Sequence, residues 1–368
     1  MNKDEIQAEA LEAIGNSQQC GVEISMGVGK CVLGLKHMDQ RYTDVASFLV
    51  LAPRTSIFTS WEDDARDFGF EHMLPHIQFS TYRSLTKLNP DAYDVVYLDE
   101  CHSLKESHEA WLDEFVLKGG TILGLTGTYP VHKNTEKGKM CNKFCPKVYE
   151  YLTDDAVGDD ILNDYRIFVH KLYLNGQPTI EVKMKKGGSF KTSEVRNYGY
   201  WNDRLEAAIT PKQEQMARIQ RMKALQKMPS KVDYAKKLLA MQTKKTLVFA
   251  NTKAQADDLC PQRVYSGMAK GVAEENLNAF KTGSIMKLSA VDQLSEGVTV
   301  PDLEVGIILH SYSNNRKAAQ KLGRFLRLNP DQIATVHILC YVNSVDQQWV
   351  ENAIAGFDQT KTEWIDPI

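Results

Sequence analysis

Short apolar runs alternate with helical stretches through most of this chain, and that alternation constrains the fold more than any other feature. Each run is rich in β-branched or aromatic residues and too short to form a helix. Strands that alternate with helices build a parallel sheet covered on both faces. In the first half the runs are Gly21–Ser25, Ala46–Ala52, His76–Ser80, Asp94–Leu98 and Thr121–Leu125. In the second half they are Thr246–Ala250, Arg263–Tyr265, Ile285–Val291, Val305–Leu309 and Thr335–Tyr341.

The length of the chain suits two such domains. At about 150 residues per domain, 368 residues predict a pair of compact α/β domains. We expect an amino-terminal domain over residues 1–152, a linker with a β-hairpin over 153–200, and a carboxy-terminal domain over 201–368. Ligands bind beyond the carboxyl ends of the strands in open parallel sheets. Residues just after the predicted strands are therefore the first candidates for function.

A β-hairpin is predicted over Thr179–Glu194. Apolar Ile180 and Val182 alternate there with charged residues, and Gly187 and Gly188 provide a turn. The hairpin could be a wedge or pin that contacts a nucleic-acid duplex, or a surface ribbon. We favour the ribbon, because nothing catalytic lies on it.

Helix signals follow the hairpin. Thr210 as N-cap and Gln213 form a capping-box pattern. Pro229 is expected to end that helix, and Ser230 with Asp233 to start a second, short one. Residues Trp201–Lys245 carry 11 basic and 4 acidic side chains, a local charge of +7. Both a nucleic-acid contact and a solvated helix face suit such a segment.

Composition excludes several classes of protein. The 44 Lys+Arg and 47 Asp+Glu give a net charge of −3, so the chain is neither a polycation nor an acidic disordered tail. It has no run of about 18 uninterrupted apolar residues, as a membrane span requires, and its start lacks the apolar region of a signal peptide. We expect a cytoplasmic protein with no membrane partner, in a bacterial or phage-infected cell, with the nucleus as the alternative.

The seven cysteines are odd in number and scattered, which favours reduced thiols over a disulfide framework. Cys141 and Cys145, with His132 upstream, have neither the four ligands nor the usual spacing of a structural zinc site. We therefore expect no zinc there.

A candidate phosphate loop follows the first predicted strand, at Met26–Cys31. Its glycines allow backbone N–H groups to surround a phosphate, and Lys30 can reach the terminal phosphates. Cys31 departs from the usual pattern, because Ser or Thr supplies a hydroxyl oxygen to Mg²⁺ at that position. A thiol is softer and mostly neutral at pH 7.

Two adjacent carboxylates follow the buried run Asp94–Leu98. Asp99 can hold Mg²⁺ through water, while Glu100 can orient and deprotonate an attacking water. An exposed acidic turn is the simpler interpretation of this pair. The preceding phosphate loop favours nucleotide hydrolysis instead.

The order of these segments resembles the superfamily 2 helicases and translocases of the Asp-Glu-x-His type, over most of the chain. Met26–Lys30 is similar to motif I and Asp99–His102 to motif II. The segments similar to motifs Ia, Ib and III are Ala52–Thr55, Ser80–Tyr82 and Leu125–Thr128. Those similar to motifs IV, V and VI are Leu247–Thr252, Ala290–Pro301 and Gln320–Arg327. Within the family the chain is most similar to the XPB-like, phage UvsW-like and Swi/Snf-like DNA translocases. A short phage-encoded motor suits its size.

The resemblance implies two RecA-like parallel-sheet domains in tandem, with ATP and Mg²⁺ in the cleft between them. It implies catalytic roles for Lys30, Asp99, Glu100, Gln320, Arg324 and Arg327. Nucleotide binding is implied for Gln7, Met26, Gly27, Val28, Gly29, Lys30, Cys31 and Gly297, with Asp99 and Cys31 at the metal position. Nucleic-acid binding is implied for Arg54, Thr81, Arg83, Thr252, Lys253 and Thr299, and coupling of the two sites for His102, Thr126 and Thr128.

The implied function is an ATP hydrolase that moves along single-stranded, duplex or branched DNA, with RNA as the second choice of track, and that acts as a monomer. One alternative is a nucleic-acid-stimulated ATPase that remodels or anneals without unwinding. The other is a nucleotide-binding adaptor that does not hydrolyse, because Cys31 weakens the metal site.

Overall fold

The computed structural model describes residues 1–25, 27–130, 132–183, 187–269, 271–291, 300–310 and 332–368. These residues form two compact units, residues 1–164 (the first unit) and residues from 165 onward (the second unit). None of the helices within the described ranges is long and apolar enough to cross a bilayer.

The first unit is a six-stranded parallel sheet with helices packed against it. Its strands are β1 (Gln19–Ile24), β2 (Phe48–Ala52), β3 (Ile77–Thr81), β4 (Val95–Asp99), β5 (Thr121–Thr126) and β6 (Lys147–Tyr151). Its helices are α1 (Lys3–Ile14), α2 (Lys30–Asp39), α3 (Phe58–Asp67), α4 (Glu109–Leu117), α5 (Glu136–Phe144) and α6 (Thr153–Gly158). The strand order is β3-β2-β4-β5-β1-β6. All five strands predicted in this half are confirmed, and β6 is an additional one.

The central strands of this sheet are buried on both faces. Every residue of β2 and of β4 is buried, which explains why the sequence shows continuous apolar runs there. On one face, Leu49, Leu98 and Ile122 pack with Phe115 and Phe144. The sheet is thus a rigid platform whose carboxyl edge carries the polar residues that follow the strands.

The second unit is a seven-stranded parallel sheet with an antiparallel ribbon. Its strands are β7 (Tyr165–Leu172), β8 (Ile180–Lys183), β9 (Ser189–Thr192), β10 (Thr246–Phe249), β11 (Arg263–Val264), β12 (Lys287–Ala290), β13 (Val305–Ile308), β14 (Ala334–Tyr341) and β15 (Thr362–Ile365). Its helices are α7 (Glu194–Glu206), α8 (Pro211–Gln226), α9 (Pro229–Met241), α10 (Lys253–Leu259), α11 (Val272–Lys281) and α12 (Val345–Ile354). The sheet order is β11-β12-β10-β13-β14-β7-β15, while β8 and β9 form the ribbon.

The predicted fold class of two parallel-sheet α/β domains is confirmed. The structure differs in the segment that we expected to be a linker, because β7 lies inside the second sheet between β14 and β15. Its residues Ile167 and Val169 are buried. Charged and polar residues interrupt the apolar ones in β7, so the local pattern does not mark it as a central strand.

The helix signals had mixed outcomes. Thr210 caps α8 and forms a capping box with Gln213, as predicted. Pro229 does follow the end of α8, but it is the first residue of α9, whose N-cap is Met228. The predicted start at Ser230 and Asp233 is therefore wrong, since proline at the first helical position sets the helix start.

The predicted hairpin is confirmed as the exposed ribbon β8–β9. Gly187 and Gly188 both have positive φ, at 92° and 83°, in the turn between its strands. Phe190 on β9 is half exposed.

Candidate nucleotide-hydrolysis site

A loop at the carboxyl end of β1 has the backbone conformation of a phosphate loop. Gly27 and Gly29 have φ values of 92° and 98°, which L side chains rarely adopt. A Cβ atom on Gly29 would also lie 2.8 Å from Nε2 of Gln7. Helix α2 starts directly after Gly29 without a side-chain cap, so its first amide groups can serve an anion. Met26 lies outside the described residues.

Gln7 of α1 is attached to this loop. Its side chain is 3% exposed, and its Nε2 donates to the carbonyl oxygens of Val28, at 3.2 Å, and Gly29, at 3.4 Å. Within the described ranges nothing donates to its buried Oε1. Gln7 therefore supports the loop and keeps one acceptor for a ligand.

Two acidic side chains lie where β4 ends. Asp99 is the last residue of the strand, and Glu100 follows in a left-handed turn with φ of 52°. Both are buried, and Glu100 Oε1 lies 4.0 Å from Nζ of Lys30. Burial and the charge of Glu100 raise the pKa of Asp99 to about 6. The structure thus brings together Lys30 and the carboxylate pair that the sequence singled out.

The carboxylate of Glu100 is held by two polar side chains. Thr126 Oγ1 lies 3.3 Å from Glu100 Oε2, and His102 Nδ1 lies 3.3 Å from the same oxygen. His102 Nδ1 is also 2.8 Å from Thr126 Oγ1, which has a further acceptor in the Thr128 carbonyl at 3.2 Å. A hydroxyl has one proton, so Thr126 donates to one acceptor at a time. The residues predicted to couple two sites form one cluster with alternative hydrogen-bond states.

Cys31 is the second residue of α2. Burial first, and then the nearby carboxylates of Asp99 and Asp64, raise the pKa of its thiol well above the ordinary value. The thiol is therefore neutral at pH 7, and a neutral thiol is a poor ligand for Mg²⁺. The chemistry of the site favours Asp99, not Cys31, as the protein's metal-binding group.

A polar pocket of about 340 Å³ lies at the same edge of the first unit. Hydroxyl and basic side chains line it: Arg83, Thr86, Ser103, Lys105, Ser107 and His108, together with Pro53 and Tyr82. Arg54 and Arg83 are exposed, and Thr81 precedes the turn that carries Arg83. The carboxyl edge of this sheet therefore presents a basic surface beside the carboxylate site.

Two candidate residues of the second unit have structural roles. Thr252 caps α10 in a box with Gln255, and Lys253 lies over the ring of Tyr265 at 5.4 Å. The remaining predicted residues of this half lie outside the described residues: Gly297, Thr299, Gln320, Arg324 and Arg327.

Several cations of the basic segment Trp201–Lys245 are already occupied. Lys236 and Lys244 pair with Asp258 and Glu304, and Arg218 pairs with Glu214. Lys231 and Lys245 are buried. The +7 counted from the sequence therefore overstates the charge that this segment presents to solvent.

Three cysteines converge in the core of the first unit. The sulfur atoms of Cys101, Cys141 and Cys145 all lie within 4.8 Å of one another, and all three residues are buried. No fourth His, Cys, Asp or Glu of the described chain joins the group, and a structural zinc site uses four ligands. Hydrogen bonds from Cys141 and Cys145, and then burial, raise the pKa of the Cys101 thiol. For Cys145 the hydrogen bond with Cys101 lowers the pKa, but the bond with Cys141 and burial raise it well above the ordinary value.

Comparison with known proteins gives two family matches along the chain. Residues 1–131 match the model of the type III restriction enzyme res subunit, and residues 230–329 match that of the helicase conserved C-terminal domain. The DNA 3′-5′ translocase XPB2 of Sulfurisphaera tokodaii is 24% identical over 361 residues, which cover 90% of this chain and 80% of that protein. These matches support a superfamily 2 helicase or translocase that is similar to XPB.

Solved structures agree on the fold. The ATP-dependent Type ISP restriction-modification enzyme LlaBIII bound to DNA has a TM-score of 0.63 at 14% identity, over all of this chain and 31% of that one. The present chain thus spans about a third of that enzyme. Dbp5 of S. cerevisiae bound to RNA and ADP BeF3 has a TM-score of 0.62 at 10% identity, over 98% of this chain and 89% of that one.

Sequence reasoning missed two features of this edge. Trp61 lies downstream of the segment similar to motif Ia, and no local pattern indicates that its indole donates a hydrogen bond to the carboxylate of Asp99. The pocket residues Ser103, Lys105 and Ser107 follow motif II in short turns that carry no recognisable motif. Only the packing of these turns against the Tyr82–Lys87 turn assembles them.

Proposed function

We propose that this protein is an ATP-dependent DNA translocase that couples ATP hydrolysis to movement along the strand. The observation that carries the proposal is the meeting of Lys30 with the Asp99–Glu100 pair beside a glycine loop. Hydrolysis of a phosphate anhydride needs a cation beside the loop that binds the phosphates. It also needs a carboxylate near the expected position of the terminal phosphate.

Binding of ATP is assigned to the loop and its neighbours. The amides of Gly27, Val28 and Gly29 and the Lys30 ammonium would contact the phosphates, while the unpartnered Oε1 of Gln7 would accept a bond from the adenine amino group. Asp99 provides the hard oxygen that would hold Mg²⁺ through water. When bound, Mg²⁺ supplies positive charge that stabilises the phosphate oxygens.

Glu100 is proposed as the general base. Its carboxylate would accept a proton from the attacking water, and Thr126 and His102 hold it in place for that task. A change of the Thr126 hydrogen bond from Glu100 to the Thr128 carbonyl would alter the orientation of the base. This alternative supports the proposed coupling role of His102, Thr126 and Thr128. Arg324 and Arg327 remain proposed donors to the transferred phosphate.

DNA is the proposed track. The DNA translocase at 24% identity supports DNA over RNA, and its 3′-5′ direction is the direction we expect here. Arg54, Thr81 and Arg83, with Lys105 of the adjacent pocket, would contact backbone phosphates, which carry little sequence information. Thr252, Lys253 and Thr299 are proposed as contacts of the second unit.

The test is ATP hydrolysis by the purified protein, alone and with single-stranded, duplex and branched DNA and with RNA. The Glu100→Gln variant is the control, because a contaminating ATPase would survive it. We expect stimulation by DNA in the wild type only. Turnover absent under every condition despite ATP binding would overturn the proposal and favour a nucleotide-binding adaptor.

A second assay separates movement from unwinding. Displacement of a third strand from a DNA triplex reports translocation, and a forked duplex reports strand separation. We expect triplex displacement, and ATP turnover without it would favour a remodelling ATPase.

A further inference from the structure

We propose that Trp61 is a positioning residue for the metal-binding carboxylate of Asp99, in a chain whose phosphate loop has a thiol where a hydroxyl is usual. The inference rests on the proposed function and deepens it, because it names the group that orients Asp99 toward Mg²⁺. Trp61 lies on α3, outside the glycine loop and the carboxylate turn.

The geometry of the contact is specific. Trp61 is fully buried, and its Nε1–H donates to Asp99 Oδ2 at 2.8 Å. Among the described residues this is the single side-chain hydrogen bond given to the Asp99 carboxylate. Because Oδ2 is engaged, the bond orients the other oxygen, Oδ1, for water or metal. A hydrogen bond to a charged acceptor is also stronger than a neutral one.

The indole itself is held rigidly. A Cβ atom on Gly34 would lie 2.4 Å from Cη2 of Trp61, so α2 approaches the ring at a position where only glycine fits. The ring also packs edge-on against Tyr97, with centroids 6.0 Å apart. Tyr97 is itself fixed by its hydroxyl, 2.9 Å from Nδ1 of His37. A donor that cannot rotate away keeps its acceptor in one orientation.

The backbone of Asp99 is fixed separately. Tyr82 Oη donates to the Asp99 carbonyl oxygen at 2.9 Å. Trp61 therefore restrains the Asp99 side chain, together with the backbone N–H of Glu100, and Tyr82 restrains the main chain. Loss of the indole N–H would remove the side-chain donor to the carboxylate without releasing the strand end.

Cys31 explains why this donor matters here. A hydroxyl at its position would be a strong donor and a hard oxygen ligand beside the metal, whereas a thiol is a weak donor and a soft ligand. The indole N–H then provides orientation that the loop does not. This compensation predicts that Trp61 and Cys31 are energetically coupled.

A double-mutant cycle tests that coupling with wild type, Trp61→Phe, Cys31→Ser and the double variant. The readout is calorimetric affinity for the non-hydrolysable analogue AMP-PNP, with Mg²⁺ and with EDTA. Trp61→Phe keeps the buried ring but removes the N–H. We expect it to reduce the Mg²⁺-dependent gain in affinity by about 10-fold or more, as for other groups that orient metal ligands. The affinity of Trp61→Phe in EDTA should stay within about 2-fold of the wild-type affinity. In the Cys31→Ser background, the effect of Trp61→Phe on the Mg²⁺-dependent gain should shrink to about 3-fold.

Trp111→Phe is the matched control. Trp111 is also buried in the first unit, and its Nε1 donates to the Leu88 carbonyl at 2.8 Å, outside the nucleotide loop. It should change thermal stability as much as Trp61→Phe without changing the Mg²⁺-dependent gain. Equal losses by Trp61→Phe in both Cys31 backgrounds, or equal losses with and without Mg²⁺, would overturn the inference.

A second pair of variants tests the inference if Trp61→Phe is unstable. If Trp61→Phe does not fold, Trp61→His and Trp61→Leu replace it, because both leave a cavity but only His can donate. Retention of the Mg²⁺-dependent gain by His and not by Leu supports the inference, and equal behaviour overturns it. Absence of Mg²⁺-dependent binding in the wild type would instead defeat the proposed function, so the two failures are distinguishable.

Discussion

The two units differ in how their buried charges are satisfied. In the first unit, Asp99 and Glu100 are adjacent like charges, and the nearest Lys30 contact to Glu100 is 4.0 Å. In the second unit, Lys231 is fully buried with its Nζ 2.5 Å from Asp346 Oδ2 and 2.9 Å from the Leu309 carbonyl oxygen. In the first arrangement the carboxylates can still bind a ligand. In the second, groups of the protein already pair with the buried lysine.

The carboxylate of Glu194, in the second unit, is likewise paired with groups of the protein. It accepts hydrogen bonds from the backbone of Ser230, at 2.9 Å, from the Ser230 hydroxyl, at 2.7 Å, and from the backbone of Asn175, at 2.8 Å. These bonds join α7, α9 and the segment after β7. Buried charge in the second unit therefore joins elements of the fold, whereas in the first unit it belongs to the proposed hydrolysis site. Substitutions should separate the two roles.

Lys30→Ala and Glu100→Gln should have the largest effects, and on activity alone. We expect each to reduce ATP turnover by about 10² to 10⁴-fold, because they remove the proposed phosphate-binding cation and the proposed general base. Their thermal midpoints should stay within about 2 °C of wild type, since Gln keeps an oxygen that can accept the Thr126 hydrogen bond and the Lys30–Glu100 pair is long, at 4.0 Å. Steady-state ATPase assays and calorimetry measure both quantities. Normal turnover in either variant would remove that residue from the site.

Lys231→Met should act in the opposite way. It leaves Asp346 buried without its cation, which typically costs about 3–5 kcal/mol of unfolding free energy. Urea denaturation followed by circular dichroism measures this loss. Lys236→Met, which breaks an exposed pair with Asp258, should cost about 0.5 kcal/mol or less. Equal losses in the two variants would contradict the structural role of the buried pair.

Exposed charges of the first unit offer a third comparison. The double variant Arg83→Gln, Lys105→Gln removes two cations of the polar pocket. It should lower the slope of log Kd against log salt concentration for duplex DNA by about 1 to 2, as expected for two lost phosphate contacts. Lys118 and Lys143 are the control pair, because both are held by carboxylates at 2.8 Å or less. Their double substitution by Gln should leave the salt slope unchanged.

Acid pH should produce the smallest effect, a loss of folding stability. Buried neutral histidines in both units contribute to it. Burial lowers the pKa of His37 in the first unit to about 3, and those of His170 and His337 in the second to about 4. At these histidines the unfolded chain binds more protons than the folded one between pH 6.5 and 4. Their contribution to stability is fully present above pH 6.5 and falls as the pH drops through that window. The raised pKa values of Asp99 and Asp64, both about 6, act in the opposite direction and make the net loss smaller.

Urea denaturation at pH 7 and pH 5 measures the free energy of unfolding. We expect it to be about 1–3 kcal/mol lower at pH 5 than at pH 7. His337→Phe should reduce the loss, because it removes one of the neutral histidines. A pH-independent midpoint would contradict the buried neutral state.

Much of the first unit could be predicted from local sequence. Strands β2 and β4 are buried along their whole length and read as short apolar runs, and Gly27, Gly29 and Lys30 stand in a local motif. Strand β7 could not be predicted, because Arg166, His170 and Lys171 interrupt its apolar residues as they would in an exposed strand. The local pattern at Ser230 predicts a helix start, whereas its hydroxyl donates to the carboxylate of the distant Glu194.

The order of strands and helices and the residue types at the nucleotide loop follow from local sequence, because these depend on periodicity and short spacing. Which side chains meet follows from the tertiary packing alone. Trp61 and Asp99 are 38 residues apart, and Lys231 and Asp346 are 115 apart. Their contacts depend on how helices pack against the sheets, and no local pattern records that packing.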